Sequence, residues 1–126
     1  MITNRKLLTL ALAIAMSAWI FPTWAHHSHG NYRMTEYTHL SGTVKELHWM
    51  NPHTWMHLDV AGEDGKTALW VLEGGSPTAL IRRGWSRDSV QVGDEVSVRC
   101  HRLRDGSNGC LYGFVTPPNG EEMMWD

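Results

Sequence analysis

Cysteine is scarce in this chain, charge is modest, and no stretch beyond the first twenty residues is long and apolar. Eleven basic residues stand against thirteen acidic ones, and charged residues make up 19% of the total. No basic stripe is present, which argues against a nucleic-acid binder that works by neutralising phosphates. Arg82, Arg83 and Arg87 read instead as a solvated helix face. Repeats and low-complexity stretches are missing too. So are the G-x-S-x-G nucleophile elbow, the H-E-x-x-H zinc motif and a Gly-rich phosphate loop, and the expectation is therefore a protein that is not an enzyme. The two cysteines do not form a C-x-x-C pair and no haem-attachment motif occurs. What is present, 42% hydrophobic residues, is ordinary globular composition and excludes wholesale disorder.

The first segment reads as an export signal. Arg5 and Lys6 precede an apolar run, Leu7–Ile20, broken only by Thr9 and Ser17. Pro22 follows, and Thr23-Trp24-Ala25 offers small residues at the positions a signal peptidase reads. The run is shorter than the ~18–20 residues needed to span a bilayer. The expected organisation is a signal peptide over 1–25, an extended N-terminal arm over 26–37, a barrel domain over 38–118 and a tail over 119–126. Losing Arg5 and Lys6 leaves the mature chain mildly acidic. Export to the periplasm places Cys100 and Cys110 in an oxidising compartment. They flank the turn Arg104–Gly109 and sit directly opposite each other if the hairpin centres near Asp105. A cross-strand disulfide is then expected in preference to two buried thiols.

Periodicity predicts mostly β-structure. Leu40–Trp49 is a long strand, in which Gly42 marks a bulge or bend. Asn51-Pro52 is a turn. His53–Val60 alternates, with Thr54, Met56, Leu58 and Val60 facing the core and His53, Trp55, His57 and Asp59 facing away. Asp64-Gly65 centres a hairpin turn and Thr67–Glu73 is the third strand. Ser76–Gly84 is a short helix with Ser76 as N-cap, Pro77 at the first position and Gly84 just past the end. Leu80, Ile81 and Trp85 are expected to plug it onto the sheet. Two further strands follow, Glu95–Leu103, with Val96, Val98 and Cys100 on one face, and Cys110–Thr116, with Cys110, Tyr112 and Phe114 on one face. Strand-strand-strand-helix-strand-strand is the order of the five-stranded OB-fold barrel, so the expected class is all-β with one short helix. A plain five-stranded sheet with a covering helix is the alternative.

Three phrases taken together carry a resemblance: His26-His27-Ser28, Trp49-Met50-Asn51-Pro52-His53-Thr54-Trp55, and Gly75–Trp85 with its Gly-Ser-Pro start and Arg-Arg-Gly-Trp end. With Leu103–Ser107 they resemble a family of small exported bacterial proteins classed as a domain of unknown function. The resemblance spans nearly all of the mature chain and implies an envelope location and a small β-barrel. It implies no activity.

All eight histidines fall after the signal. Imidazole is the commonest metal ligand and suits copper, zinc and nickel. Cleavage after Ala25 would leave His26 with a free amine beside its ring, and His27, His29 or a strand histidine would complete a nitrogen-rich planar site for Cu(II) or Ni(II). A cut one residue earlier removes that chelate, and a polar start whose histidines do nothing is the plain alternative. The second candidate is His48–His57. His53 and His57 share a face but stand ~13 Å apart, too far to chelate one ion. His48 and His53 bracket the turn and are expected to converge. Met50 is a candidate soft ligand and Trp55 a candidate aromatic contact. The segment is similar in residue types, without a position-by-position match, to periplasmic copper chaperones built on small OB barrels. Gly74-Gly75-Ser76 offers backbone amides for an anion, though a strand-to-helix turn explains the glycines equally well. The functional expectation is a periplasmic, non-enzymatic metal-binding protein, with copper ahead of nickel and zinc. The rival is an envelope interaction module that binds a protein, peptide or glycan through Trp55, Trp70 and Trp85. Neither involves nucleic acid, or a membrane once the signal is removed.

Overall fold

The computed structural model describes residues 28–126. The expected signal peptide, His26 and His27 lie outside the described residues. A 3-10 turn at Ser28–Asn31 leads into six strands and one helix: β1 (Thr38–His48), β2 (Trp55–Ala61), β3 (Thr67–Glu73), α1 (Pro77–Arg82), β4 (Glu95–Arg102), β5 (Gly109–Thr116) and β6 (Met123–Met124). β1 is shared: its first half pairs with β4 and its second half with β2, both antiparallel. The sheet runs β3-β2-β1-β4-β5, and β3 closes onto β5 through a short parallel pairing at Val71–Glu73 and Gly109–Leu111. A closed five-stranded barrel with its helix between the third and fourth strands is the OB arrangement.

Alternation fills the barrel. Met56 and Leu58 on β2, Leu72 on β3, and Val96, Val98 and Cys100 on β4 are buried together. Ser76 caps α1 by accepting from the Ala79 amide at 3.2 Å, and Gly84 takes the positive φ of 98° that ends it. Leu80 and Trp85 plug the barrel's end as expected. Ile81 does not: it is 59% exposed, because a six-residue helix turns only one stripe inward and Leu80 occupies it.

Further expectations change. Gly42 holds no bulge. A Cβ there would stand 2.5 Å from the Asp59 carbonyl oxygen, so glycine permits the close approach of β2. The bulge of β1 lies at Lys45, between the pairs Val44–Leu58 and Glu46–His57. A second register shift leaves Gly113 unpaired between Cys100–Tyr112 and Arg99–Phe114. Alternation flips there, so Phe114 joins Arg99 on the outer face, under its guanidinium at 4.3 Å, and Val115 turns inward. Cys100 and Cys110 are disulfide-bonded with Cα atoms 5.7 Å apart, but they are not directly opposite. Cys110 faces Arg102, because the hairpin centres on Gly106, whose φ is +81°, rather than on Asp105.

The chain's last residues are part of the barrel rather than a tail. Met123 and Met124 pair with Val115 and Phe114, and Trp125 is fully buried against Trp85, with ring centroids 4.4 Å apart. Residues 32–37 of the arm are docked too. Tyr32 bridges Leu103, the Arg33 amide donates to the Arg102 carbonyl at 2.9 Å, and His101 lies under Tyr37 with rings 4.5 Å apart. His101 is therefore buried, not the exposed strand residue its Arg99 and Arg102 neighbours suggest.

Candidate metal centre

The β1–β2 hairpin positions the candidate site. Its turn contains Asn51-Pro52, and its returning limb is pinned at Thr54. The Thr54 amide and hydroxyl both donate to the Gly75 carbonyl, at 3.0 and 2.9 Å, and Thr54 Oγ1 accepts from Trp125 Nε1 at 3.2 Å. The Gly74 and Gly75 amides are spent on the Thr54 and Trp125 carbonyls. A Cβ on Gly74 would stand 2.5 Å from Trp125. These glycines therefore serve packing, and their amides are not offered to an anion.

With that limb fixed, the ladder reads Glu46–His57, Leu47–Met56, His48–Trp55. Leu47 and Met56 turn toward the core. Glu46, His48, Trp55 and His57 share the outer face, since directly paired residues and residues two apart lie on one side of a sheet. The bulge at Lys45 makes this possible. Val44 points inward, so strict alternation would send Glu46 inward as well. The extra residue leaves Lys45 and Glu46 both exposed and returns Leu47 to the core side.

The result is a three-residue cluster. Glu46 Oε2 lies 2.9 Å from His48 Nε2 and 3.2 Å from His57 Nδ1. The two imidazole rings meet edge to face with centroids 5.5 Å apart. The ligand atoms of Glu46, His48 and His57 all lie within 4.8 Å of one another. An ion bound tetrahedrally at ~2.0–2.2 Å separates its donors by about 3.3–3.6 Å, so small side-chain rotations suffice. The His48 hydrogen bond, then the positive charge of the two imidazoles and Lys45, hold the Glu46 carboxyl below the usual carboxylate range. Glu46 is thus a candidate ligand that is anionic at neutral pH.

The other candidates go elsewhere. His53 does not converge with His48. Its Nδ1–H donates to the Gly74 carbonyl at 3.0 Å and stands 3.5 Å from Glu73 Oε1. Glu73 is 5% exposed and accepts from the Tyr32 hydroxyl at 2.8 Å. Burial, then Glu73, pushes the Tyr32 hydroxyl up. Met50 is 53% exposed in the hairpin turn. His29, in the 3-10 turn, stands outside the trio. Trp55 borders the trio, whereas Trp70 and Trp85 are buried, so the three tryptophans do not form one exposed face.

Glu46 is the candidate ligand that sequence reasoning missed. Counting back from Asn51-Pro52 pairs position 46 with 57, so the signal was present, but period-two counting along β1 hid it.

Among the described residues no helix is long and apolar enough to cross a membrane. No curated protein matches the chain. Among solved structures, it is similar to the S. cerevisiae mitochondrial single-stranded DNA-binding protein Rim1, at 11% identity and a TM-score of 0.48, over 68% of this chain and 99% of that one. The family model that describes DUF6152, a family of unknown function, matches residues 13–112, and the chain belongs to that family.

Proposed function

We propose that this is an exported, non-enzymatic protein that binds a transition metal, copper first, on the outer face of its barrel. The observation that carries this reading is the convergence of Glu46, His48 and His57, with one ligand atom each inside 4.8 Å. Two imidazole nitrogens and a carboxylate oxygen suit Cu(II), Ni(II) and Zn(II). The side chains of His48 and Glu46 are about half exposed, so no rigid cage selects an ion by size. Selection then follows intrinsic affinity, which among these three is highest for Cu(II). The disulfide and the signal-like first segment support an oxidising compartment outside the cytoplasm, the periplasm in a Gram-negative cell. The missing nucleophile and phosphate motifs support a binding rather than a catalytic role.

Isothermal titration of the processed protein with Cu(II), Ni(II) and Zn(II) tests this. One Cu(II) per chain, bound at micromolar affinity or tighter and lost in H48A/H57A, is the expected result. Absence of that binding overturns it. An ion still retained by H48A/H57A would belong to the His26/His27/His29 arm.

A further inference from the structure

We infer that the ion held by Glu46, His48 and His57 keeps one outward coordination position, and that this position takes the histidine imidazole of a second polypeptide, stacked on Trp55. The inference rests on the proposed copper site and adds the partner's chemistry to it.

Three side chains supply three donors, whereas tetragonal Cu(II) takes at least four. Among the described residues no further His, Cys, Asp or Glu joins the trio. All three ligands project from the outer face of two paired strands, with side-chain exposures of 49%, 48% and 26% for Glu46, His48 and His57. Beneath them the sheet turns Leu47 and Met56 to the core, so the remaining position opens away from the barrel. A protein metal site with three ligands and an open fourth position accepts an external donor.

Trp55 decides which donor fits. It stands directly opposite His48 in the ladder and two residues before His57 on the same face. Such neighbours have Cβ atoms ~5–7 Å apart, and the indole is partly exposed. An indole plane therefore shares the outer face with the trio. A carboxylate or thioether supplies a donor atom but no ring to lie against that plane. Imidazole supplies both: a neutral nitrogen suited to copper and a flat ring that stacks. An ion bound in this way sits between two proteins, and ligand exchange across it would hand copper from one to the other with no enclosed cavity.

The test uses protein loaded with one equivalent of Cu(II) and freed of excess metal, titrated with imidazole and then with an end-blocked Gly-His-Gly peptide. The expected result is a saturable blue shift of the visible copper band with one added nitrogen in the electron paramagnetic resonance spectrum, copper remaining with the protein on ultrafiltration. W55A, loaded with one equivalent of Cu(II) in the same way, should bind imidazole about two- to tenfold more weakly, the scale of one stacking contact. An unchanged spectrum, release of copper to the filtrate, or equal imidazole affinity in W55A overturns the inference while the copper site stands. Failure at the loading step overturns the site itself.

Discussion

Glu46 and His57 face each other across the β1–β2 ladder because one residue, Lys45, stands outside its register. In the next pair of the ladder, Val44 meets Leu58 inside the core. Between these pairs the strand shifts phase, and the carboxylate lands beside two imidazoles instead of among aliphatic side chains. The backbone bulge is the element that assembles the site.

Backbone and side chain of Lys45 should therefore separate cleanly on mutation. Lys45→Ala keeps the extra residue and removes only a half-exposed ammonium 3.8 Å from Asp59. Metal affinity should stay within about fivefold, the scale of one surface charge contact. Inserting one alanine between His57 and Leu58 gives Lys45 a partner, restores strict alternation and aims Glu46 at the core. Metal affinity should fall well over tenfold, and stability should fall by several kcal/mol, the order of an unpaired buried carboxylate. Calorimetric titration and urea denaturation read the two effects. Equal metal affinity in the insertion variant would show that the bulge does not set the site.

Tyr32 makes stability fall at alkaline pH. Its hydroxyl is pushed up in the folded protein by burial and by Glu73, while the unfolded chain titrates near the ordinary tyrosine value of about 10. A raised value means the protonated hydroxyl stabilises the fold fully below about pH 10, and that contribution is lost as pH rises from there toward the folded value. Tyr112, also buried and raised, adds to the same loss, so the informative comparison is with Tyr32→Phe. Denaturant midpoints at pH 8 and pH 11 should fall less in Y32F than in the parent. At pH 8 the variant should be less stable by about 1–3 kcal/mol, because Glu73 stays buried without its hydroxyl donor. Parallel curves for the two proteins would refute the coupling.

The disulfide should stabilise without touching the metal site. It joins residues ten apart on the β4–β5 hairpin, whereas the ligands sit on β1 and β2. A loop of that length gives about 2.5–3 kcal/mol in the chain-entropy account. Cys100→Ala with Cys110→Ala should cost that much or somewhat more, since both positions are fully buried. Copper affinity should be unchanged in the folded variant. A change beyond about threefold would mean the barrel transmits strain between its two hairpins.

Local signals were legible and one-residue shifts were not. The caps of α1, the Asp-Gly turn and the inward set Thr54, Met56 and Leu58 follow from rules that span a few residues, and the structure keeps them. The five-strand order and the cysteine pairing were equally readable. Register was not, because a bulge has no strong composition and period-two counting runs straight through it. That single blindness misplaced Phe114 and hid Glu46. The placement of His53 depended on a long-range partner, the Gly74 carbonyl twenty-one positions away, that no window around the turn contains. The same holds for Tyr32, His101 and Trp125, whose partners lie far off in the sequence.

Trp125 gives the sharpest test of the barrel's far end. After Pro117-Pro118 the chain looks finished with its sheet, yet Trp125 is fully buried and its amide donates to the Gly113 carbonyl at 3.1 Å. Its ring meets Trp85, Trp49 and Tyr112, and its indole N–H reaches Thr54, the residue that pins the metal hairpin. Trp125→Ala should cost about 3–5 kcal/mol, the range for emptying a buried aromatic site. Trp125→Phe fills most of the space and loses the hydrogen bond to Thr54, so it should cost less. If Trp125 steadies the hairpin through Thr54, the phenylalanine variant should also bind Cu(II) more weakly by a few fold while remaining folded. Circular dichroism under urea gives the stabilities, and titration of the folded variant gives the affinity. A W125A protein within about 1 kcal/mol of the parent would show that the segment after the double proline is dispensable to the core.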